Sequence, residues 1–398
     1  MGLRSLVLES SESLRVAGFS FTTWNNAWKA LDALGIGDSL RQQSDLVQGL
    51  VATSMISGTP SSQISFTNKL QAKKGDELEE LEVRCVGRRL LLEALEKELP
   101  RGTIRLSSKV VSIQEEQAAG YCKLVHLADG SIIKTKVLIG CDGVNSVVAK
   151  WLGLQEAAFT GRVAIRGHAV FDQGHHFEPK LMQFFGDGFR TTFIPCDRNI
   201  IYWVFTCTPS TLPKEEKFEA GEPAKMKQFV LKNLCKIPKE VVGVVEKTDT
   251  KNIICSPLRL RWPLSVLLGN INKGNVCVAG DALHPMTPDL GQGGCSALED
   301  GVVLARCLGQ ALLSLRKTGR PSNDDKEEYN RIKKGLDKFA KERRWRSFDL
   351  ITTSYIVGLI QQSSGKVMNY IRDNFLSTYL ARTLLKRTDF DCGKLMIS

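Results

Sequence analysis

No run of about 18 apolar residues interrupts this 398-residue sequence, so no helix is expected to span a bilayer. The N-terminus has no signal-peptide layout, and "MGLRSL" lacks the Ser or Thr at position 6 that a myristoylation site needs. No CxxC pair occurs among the eleven cysteines, which excludes a zinc ribbon or a thioredoxin-like motif and fits free thiols in a reducing compartment. Histidine is scarce, with five in all. The adjacent pair His175-His176 diverges in direction, and no spaced Cys, Asp or Glu set completes a metal site, so no metal is expected. Internal repeats and low-complexity tracts are absent.

What remains is the composition of an ordinary globular protein, 42% apolar and 24% charged, with length enough for two or three domains. The net charge of +11 is uneven: from Gly301 to Ser398 there are 19 basic and 10 acidic residues. The run "KFAKERRWR" (Lys338–Arg346) is interrupted by apolar residues at helical spacing, which reads as a solvated helix face. No nucleic-acid partner is expected, and peripheral contact with an anionic membrane stays open.

The opening run Leu3–Leu8 stops at Glu9 and reads like the second strand of a dinucleotide-binding fold, whose terminal carboxylate holds a ribose hydroxyl. The first strand and the G-x-G-x-x-G turn that should come before it are missing. In "WNNAWKALDALGIGD", Trp24, Ala27, Trp28, Leu31 and Leu34 share one helical face and Gly35 reads as the C-cap. "RRLLLEALEKELP" (Arg88–Pro100) is a second helix; Ile104–Leu106, Lys109–Ile113 and Cys122–Leu127 read as strands, with a turn at Ala128–Gly130. "KVLIGCDGVNSVVAKWLG" is a buried strand, a turn and a helix. From Arg162 to Cys207 the runs "RVAIRGHAVF", "KLMQFF", "FRTTFIP" and "NIIYWVFT" indicate a mostly antiparallel sheet, and from Gly293 onward long helices dominate. The expected architecture is α/β, a doubly wound nucleotide-binding domain interrupted by an inserted sheet domain and followed by a helical tail.

The segment "NVCVAGDALHPMTPDLGQGGCSALEDGVVLARCL" (Asn275–Leu308) carries most of the chemistry. An apolar strand ends at Gly280-Asp281, a proline-rich loop follows, and Gly291, Gln292, Gly293 and Gly294 open an apolar-periodic helix. A strand-end carboxylate accepts hydrogen bonds from a ribose or polyol, and glycines before a helix bring backbone N–H groups to a ligand at the positive end of the helix dipole. A Gly/Pro-rich loop between packed elements is the plainer alternative, and the ordered set outweighs it. His284 reads as a packing residue without an identifiable acidic partner.

"GDALHPMTPDLGQGGCSALED" resembles the second flavin-binding motif of the FAD-dependent aromatic-ring (class A) monooxygenases, and "LIGCDGVNSVVAKWLGL" and "VGRRLLLEAL" are similar to two further motifs of that family. The resemblance covers nearly the whole chain and is closest to plant monooxygenases related to zeaxanthin epoxidase and to FAD-dependent urate hydroxylase. It implies a Rossmann-like FAD/NAD(P)-binding domain over residues 1–155 and 259–320, a substrate-binding β-sheet domain over 156–258, and C-terminal helices over 321–398. It implies that Glu9, Arg88, Val110, Asp142, Gly143, Asp281, Pro288, Gly291, Gln292, Gly293 and Gly294 bind FAD. In the urate-hydroxylase branch an arginine and a tyrosine of the sheet face the flavin and the "TPD" acid pairs with the arginine, which puts Arg190, Tyr202 and Asp289 in those roles. The implied activity is monooxygenation through a flavin hydroperoxide, with NAD(P)H as transient donor and O₂ as oxidant, on a small aromatic, purine or isoprenoid substrate in the cytoplasm or plastid stroma. The sequence departs from the family pattern after Ser146, where Val147-Val148-Ala149 precede Lys150 in place of an arginine, and at its start, which reads as an N-terminally shortened form. The alternative is a FAD-poor isoform, or a flavin-fold oxidoreductase without hydroxylase activity.

Overall fold

The computed structural model describes residues 4–14, 19–58, 60–66, 81–115, 121–209, 221–317, 325–373 and 377–395. Leu3 of the opening run and the expected boundary at 320/321 lie outside the described residues. The first stretch forms β1 (Val7–Leu8), β2 (Ser20–Thr23), α1 (Asn25–Ala33), α2 (Gly37–Arg41), β3 (Gly49–Ser54), β4 (Pro60–Ser65), β5 (Arg84–Gly87) and α3 (Arg88–Lys97). It continues with β6 (Ile104–Arg105), β7 (Val110–Gln114), β8 (Lys123–Leu127), β9 (Ile132–Thr135), β10 (Leu138–Gly140) and α4 (Val147–Trp151). Four long strands follow, β11 (Ala158–Val170), β12 (Lys180–Phe185), β13 (Phe189–Pro195) and β14 (Ile200–Cys207), then α5 (Pro223–Asn233) and α6 (Lys239–Lys247). The rest comprises β15 (Ile254–Leu260), α7 (Pro263–Leu268), β16 (Asn272–Lys273), β17 (Val276–Val278), α8 (Gly293–Lys317), α9 (Asp325–Gln361), α10 (Lys366–Ile371) and α11 (Ser377–Arg387).

The large sheet has seven strands in the order β15-β11-β14-β13-β12-β3-β4, antiparallel throughout except where β12 runs beside β3. It is larger than the inserted segment, because β3 and β4 come from residues 49–65, well before the change in sequence texture at Arg162. Its core follows from the alternation of its strands: Ile165, Phe193, Trp203 and Phe205 are fully buried and receive Met226, Val230 and Val244 of α5 and α6. Gly167 lies against the Trp203 ring, where any Cβ would come within 2.6 Å of it. That close approach explains a glycine inside a strand.

The nucleotide-binding part is built differently. The parallel pair β1-β6 and the sheet β10-β17-β16 are separate, so among the described residues β1 pairs only with β6 and β10 only with β17. Val276, Cys277 and Val278 of β17 are wholly buried, as a run feeding a central parallel strand should be. Helix α1 buries Ala27, Trp28 and Leu31, and Gly35 closes it at φ 80°, matching the face and cap read from sequence.

The basic run Lys338–Arg346 is a solvated face only in part: Lys338 and Lys341 are exposed, but its arginines are not. It lies inside α9, where Phe339, Ala340, Arg343 and Ser347 are buried. Arg343 is fully buried between Glu299 (2.7 Å) and Asp300 (2.5 Å) of α8, Arg346 pairs with Glu299 at 2.7 Å, and Arg344 donates to the carbonyls of Val266, Leu267 and Gly269 at the end of α7. Arg343 and Arg346 depart from the expected solvent-facing position because their acidic partner Glu299 sits on another helix.

Burial pushes the Asp300 carboxyl up, but the charges of His284 and Arg343 and the Gly280 N–H outweigh it and hold the group at about 2. Removing Arg343 leaves two buried carboxylates short of a counter-charge, and Arg343→Met should lower unfolding free energy by about 3–5 kcal/mol in urea titrations at neutral pH. Because the folded pKa of Asp300 is depressed, its contribution is complete above about pH 4. It is lost as pH falls toward about 2. Urea titrations of the wild type across that interval should show this loss, and the same interval should be flatter in Arg343→Met.

Candidate functional site

Strand β17 delivers the chain to Gly280 at φ 59°, a left-handed turn that suits glycine. The Gly280 N–H donates to Asp300 Oδ2 at 2.7 Å, so the turn is pinned to the first turns of α8. The next residue, Asp281, is exposed, and its carboxylate has no hydrogen-bond partner among the described residues. The loop then folds back: the His284 N–H donates to the Gly280 carbonyl at 2.9 Å, and Pro288–Leu290 form a single 3₁₀ turn closed by Gly291 at φ 62°. His284 is fully buried with Nε2 2.7 Å from Asp300, the acidic partner that the sequence did not reveal, because it stands sixteen residues downstream on a different element.

Gly291 packs against the Trp24 indole, where a Cβ would sit 3.1 Å from Nε1, and a Cβ on Gly294 would meet the Phe21 ring at 3.1 Å. Gln292 is fully buried with Oε1 accepting from Asn26 Nδ2 at 2.9 Å. The buried Trp24 Nε1 and Gln292 Nε2 have no partner among the described residues. The opening amides of α8 have none within the helix by its geometry. Orphaned donors around a glycine cradle, at the positive end of a 25-residue helix and near a free carboxylate, fit the ring edge and polyol chain of a flavin. Pro288 and Gly294 are exposed on this loop, and Gly291 and Gly293 half-buried.

The other residues implicated in FAD binding lie on separate elements. Asp142 and Gly143 (φ 80°) follow β10, where the Asp142 carboxylate accepts from Ser146 Oγ at 2.5 Å and from the Val147 N–H at 2.7 Å. The acid is thereby turned onto the start of α4. Lys150, the shifted cation, is exposed and 4.0 Å from Glu156. Glu9 ends β1 with its carboxylate accepting from the Ser11 N–H at 2.8 Å. Arg88 is exposed where it opens α3, and Val110 opens β7 opposite Leu127.

On the sheet side, the expected Arg190–Asp289 pair is present at 3.3 Å and buried. Asp289 is shared with a second buried guanidinium, Arg162 on β11, at 2.8 Å. Arg190 also donates from Nη1 to Gln361 Oε1 of α9. Helix α9 reaches this cluster through Gly358, where a Cβ would lie 2.2 Å from Asp289 Oδ2. Burial pushes the Arg190 guanidinium down from its ordinary range, Asp289 opposes the fall and Arg162 adds to it. Arg162, Gly358 and Gln361 carried no signal in the sequence, since each meets Asp289 or Arg190 only through tertiary packing.

Tyr202 is apart from this cluster. In register it stands opposite His168 and Ile194, whereas Arg190 stands opposite Thr206. The two therefore share a face of the sheet, about 13 Å apart along the strand direction. Burial pushes the Tyr202 hydroxyl up to about 12, so it is a neutral phenol at physiological pH, and its ring centroid is 6.4 Å from that of Phe19. A cavity of ≈ 30 Å³ opens between β3, β12, α9 and α11 and is lined by Asp289, Gln361, Arg372, Gln183, Ser62 and apolar neighbours including Phe185 and Leu384. Neither Arg190 nor Tyr202 lines it. His175 binds the Asp197 carbonyl at 2.7 Å, and no group of three His, Cys, Asp or Glu arranged for a metal occurs among the described residues. No helix among the described residues is long and apolar enough to cross a membrane.

Comparison with known proteins shows the family and the fold. The family model described as FAD binding domain matches residues 1–323. "Monooxygenase 2" of Arabidopsis thaliana is 53% identical over 396 residues, covering 100% of this chain and 93% of that protein. "Monooxygenase 1" of the same plant is 34% identical over 402 residues, covering 99% and 94%. The crystal structure of Klebsiella pneumoniae HpxO complexed with FAD and uric acid has the same fold, with a TM-score of 0.74 at 21% identity over 97% of this chain and 90% of that one. The chain belongs to the FAD binding domain family, among its FAD-dependent flavoprotein monooxygenases.

Proposed function

We propose that this enzyme inserts one atom of O₂ into a small organic substrate while NAD(P)H supplies two electrons and the second oxygen leaves as water. The observation that carries the reading is the economy of the turn from Pro288 to Gly294. Asp289 lines the cavity and the opening amides of α8 follow within five residues, which supports reading the cavity as the substrate side and the amides as the cofactor side. Substrate and cofactor would then meet across one short, pinned loop, which is what a reaction between them requires.

The redox and oxygen chemistry is supplied by FAD when bound. Asp281 would accept hydrogen bonds from its polyol hydroxyls, and the Gly293 and Gly294 amides would stabilise negative charge at its ring edge. Arg190, fixed by Asp289 and Gln361, would orient a ring oxygen of the substrate. Tyr202, neutral and set apart along the sheet, is left out of this substrate contact. The tight apolar walls would keep bulk water from the reacting atoms. Relatives named for urate hydroxylation support an aromatic or purine substrate ahead of an isoprenoid. All eleven cysteines are free thiols, which supports a reducing compartment, cytoplasm or plastid stroma.

Asp281→Ala should reduce FAD retention at least tenfold, read from flavin absorbance after gel filtration, while far-UV circular dichroism and Tm stay near wild type. A variant that remains stoichiometrically yellow would remove Asp281 from the cofactor site. With FAD-loaded protein, a panel of phenols and purines should contain a compound that stimulates NAD(P)H oxidation and acquires one atom from ¹⁸O₂. Stimulated oxidation that yields only hydrogen peroxide across the panel would reduce the reading to an oxidoreductase without oxygen insertion.

A further inference from the structure

Helices α7 and α9 expose large apolar side chains next to one another. Helix α7 buries Val266 and leaves Leu264 62% and Leu268 81% exposed, with Trp262 exposed just before it. Helix α9 buries Arg343, Ser347, Leu350, Ser354 and Val357. At about 100° per residue its opposite side carries Trp345, Phe348, Thr352, Ile356 and Leu359, a stripe about 21 Å long. Trp345 is 64% exposed on it, and Ile356 and Leu359 are 48% exposed. The two helices run alongside each other. The Trp262 ring lies 5.8 Å from that of Tyr355, and at the other end Arg344 donates to the carbonyls of Val266, Leu267 and Gly269. Their outward sides therefore form one apolar surface. Single exposed apolar residues are ordinary, but a contiguous group of them marks a contact surface.

The charge beside this surface selects what covers it. The outward side of α9 continues toward its start as Lys334, Lys338 and Lys341, all exposed, and no acid stands at any outward position from Lys334 to Leu359. Lys338 donates to the neutral Gln310 at 2.8 Å, and none of the three has an acidic partner among the described residues. Asp337, on the flank, accepts from Asn272 Nδ2 at 2.7 Å. A second copy of the chain would set these lysines against themselves or bury them under the apolar end, and either is costly. An anionic lipid surface satisfies both halves. The lysines meet the headgroups, and the apolar end enters the boundary with the acyl chains, where tryptophan is favoured.

We propose that the outward face of α7 and α9 docks on an anionic phospholipid bilayer. Trp262, Leu264, Leu268, Trp345 and Ile356 enter the interface, and Lys334, Lys338 and Lys341 lie on the headgroups. The contact is peripheral, and it does not depend on the reaction proposed above.

The test uses the full chain with vesicles of phosphatidylcholine alone and of phosphatidylcholine with about one third phosphatidylserine. Partitioning, measured by flotation, should favour the anionic vesicles at least tenfold. Brominated lipid should quench part of the tryptophan fluorescence, because Trp262 and Trp345 are exposed while Trp24, Trp28 and Trp203 are buried. The double variant Leu264→Ser, Leu268→Ser should weaken partitioning at least tenfold, and so should the triple variant Lys334→Gln, Lys338→Gln, Lys341→Gln. Tm should stay near wild type in both. Added salt should weaken wild-type binding and change that of the lysine variant little. Equal partitioning into the two vesicles, or fluorescence that brominated lipid leaves unquenched, overturns the docking. Binding that the lysine variant loses and the leucine variant keeps is adhesion by charge alone and overturns it as well. A dimer in sedimentation that the leucine variant dissociates assigns the face to a second copy and also overturns it. Should either variant fail to fold, quenching of the wild type decides.

Discussion

One buried guanidinium, that of Arg343, holds the loop from Gly280 to Gly294 in register. It bridges Glu299 and Asp300, which are adjacent in sequence but diverge from the helix in different directions. Asp300 reaches back to the Gly280 amide and to His284, fixing the turn that presents Asp281. Glu299 accepts from Asn26 at 2.5 Å, and Asn26 in turn holds Gln292 beside the glycines. The strand-end acid, the glycine turn and the first helix are thus tied to a single point on α9. Such a network contributes little net stability, since each ion has lost its water, but removing one member leaves the others stranded. Its value lies in allowing one arrangement of the loop.

Much of the architecture was legible because it depends on local pattern. Alternation gave the four long strands from Arg162 to Cys207, and the face containing Trp24, Ala27 and Leu31 gave α1. The loop around Asp281 and Gly291 was legible because glycine and proline at those positions answer to local backbone geometry. The Arg190–Asp289 pair came from resemblance, since 99 residues separate the two and no spacing rule joins them. Arg162, Gln361 and Arg372 gave no signal for the same reason: each is an ordinary strand or helix residue until the sheet and helix α9 meet. The run Lys338–Arg346 misled for a related cause. A charge pattern on one helix does not disclose the carboxylates that another helix brings to it.

The sheet shows a further limit of reading by texture. The strand-rich segment starts at Arg162, yet β12 finds its outer neighbour in β3, more than a hundred residues earlier. β4 closes the sheet as a half-polar edge strand, and β3, buried between it and β12, is only six residues long, so neither stood out from the sequence around it. Their recruitment has a consequence for the cavity: Ser62 and Leu50 come from these strands and Gln183 and Phe185 from β12, so one wall straddles the seam.

The two charged clusters flanking the Pro288–Gly294 turn differ in completeness. Around the start of α8 the carboxylates of Glu299 and Asp300 are matched by Arg343 and Arg346, so the charges balance and the loop is fixed by them. Against the sheet, Asp289 divides itself between Arg162 and Arg190, and burial and the charge of Arg162 push the Arg190 guanidinium down from its ordinary range. Two buried cations that share one carboxylate repel each other, so their positions depend on the walls around them. Helix α9 supplies one of those walls, because Gly358 lets its backbone come close to Asp289 and Gln361 accepts from Arg190. The first cluster is held by its own charges, the second by the packing of the sheet against α9.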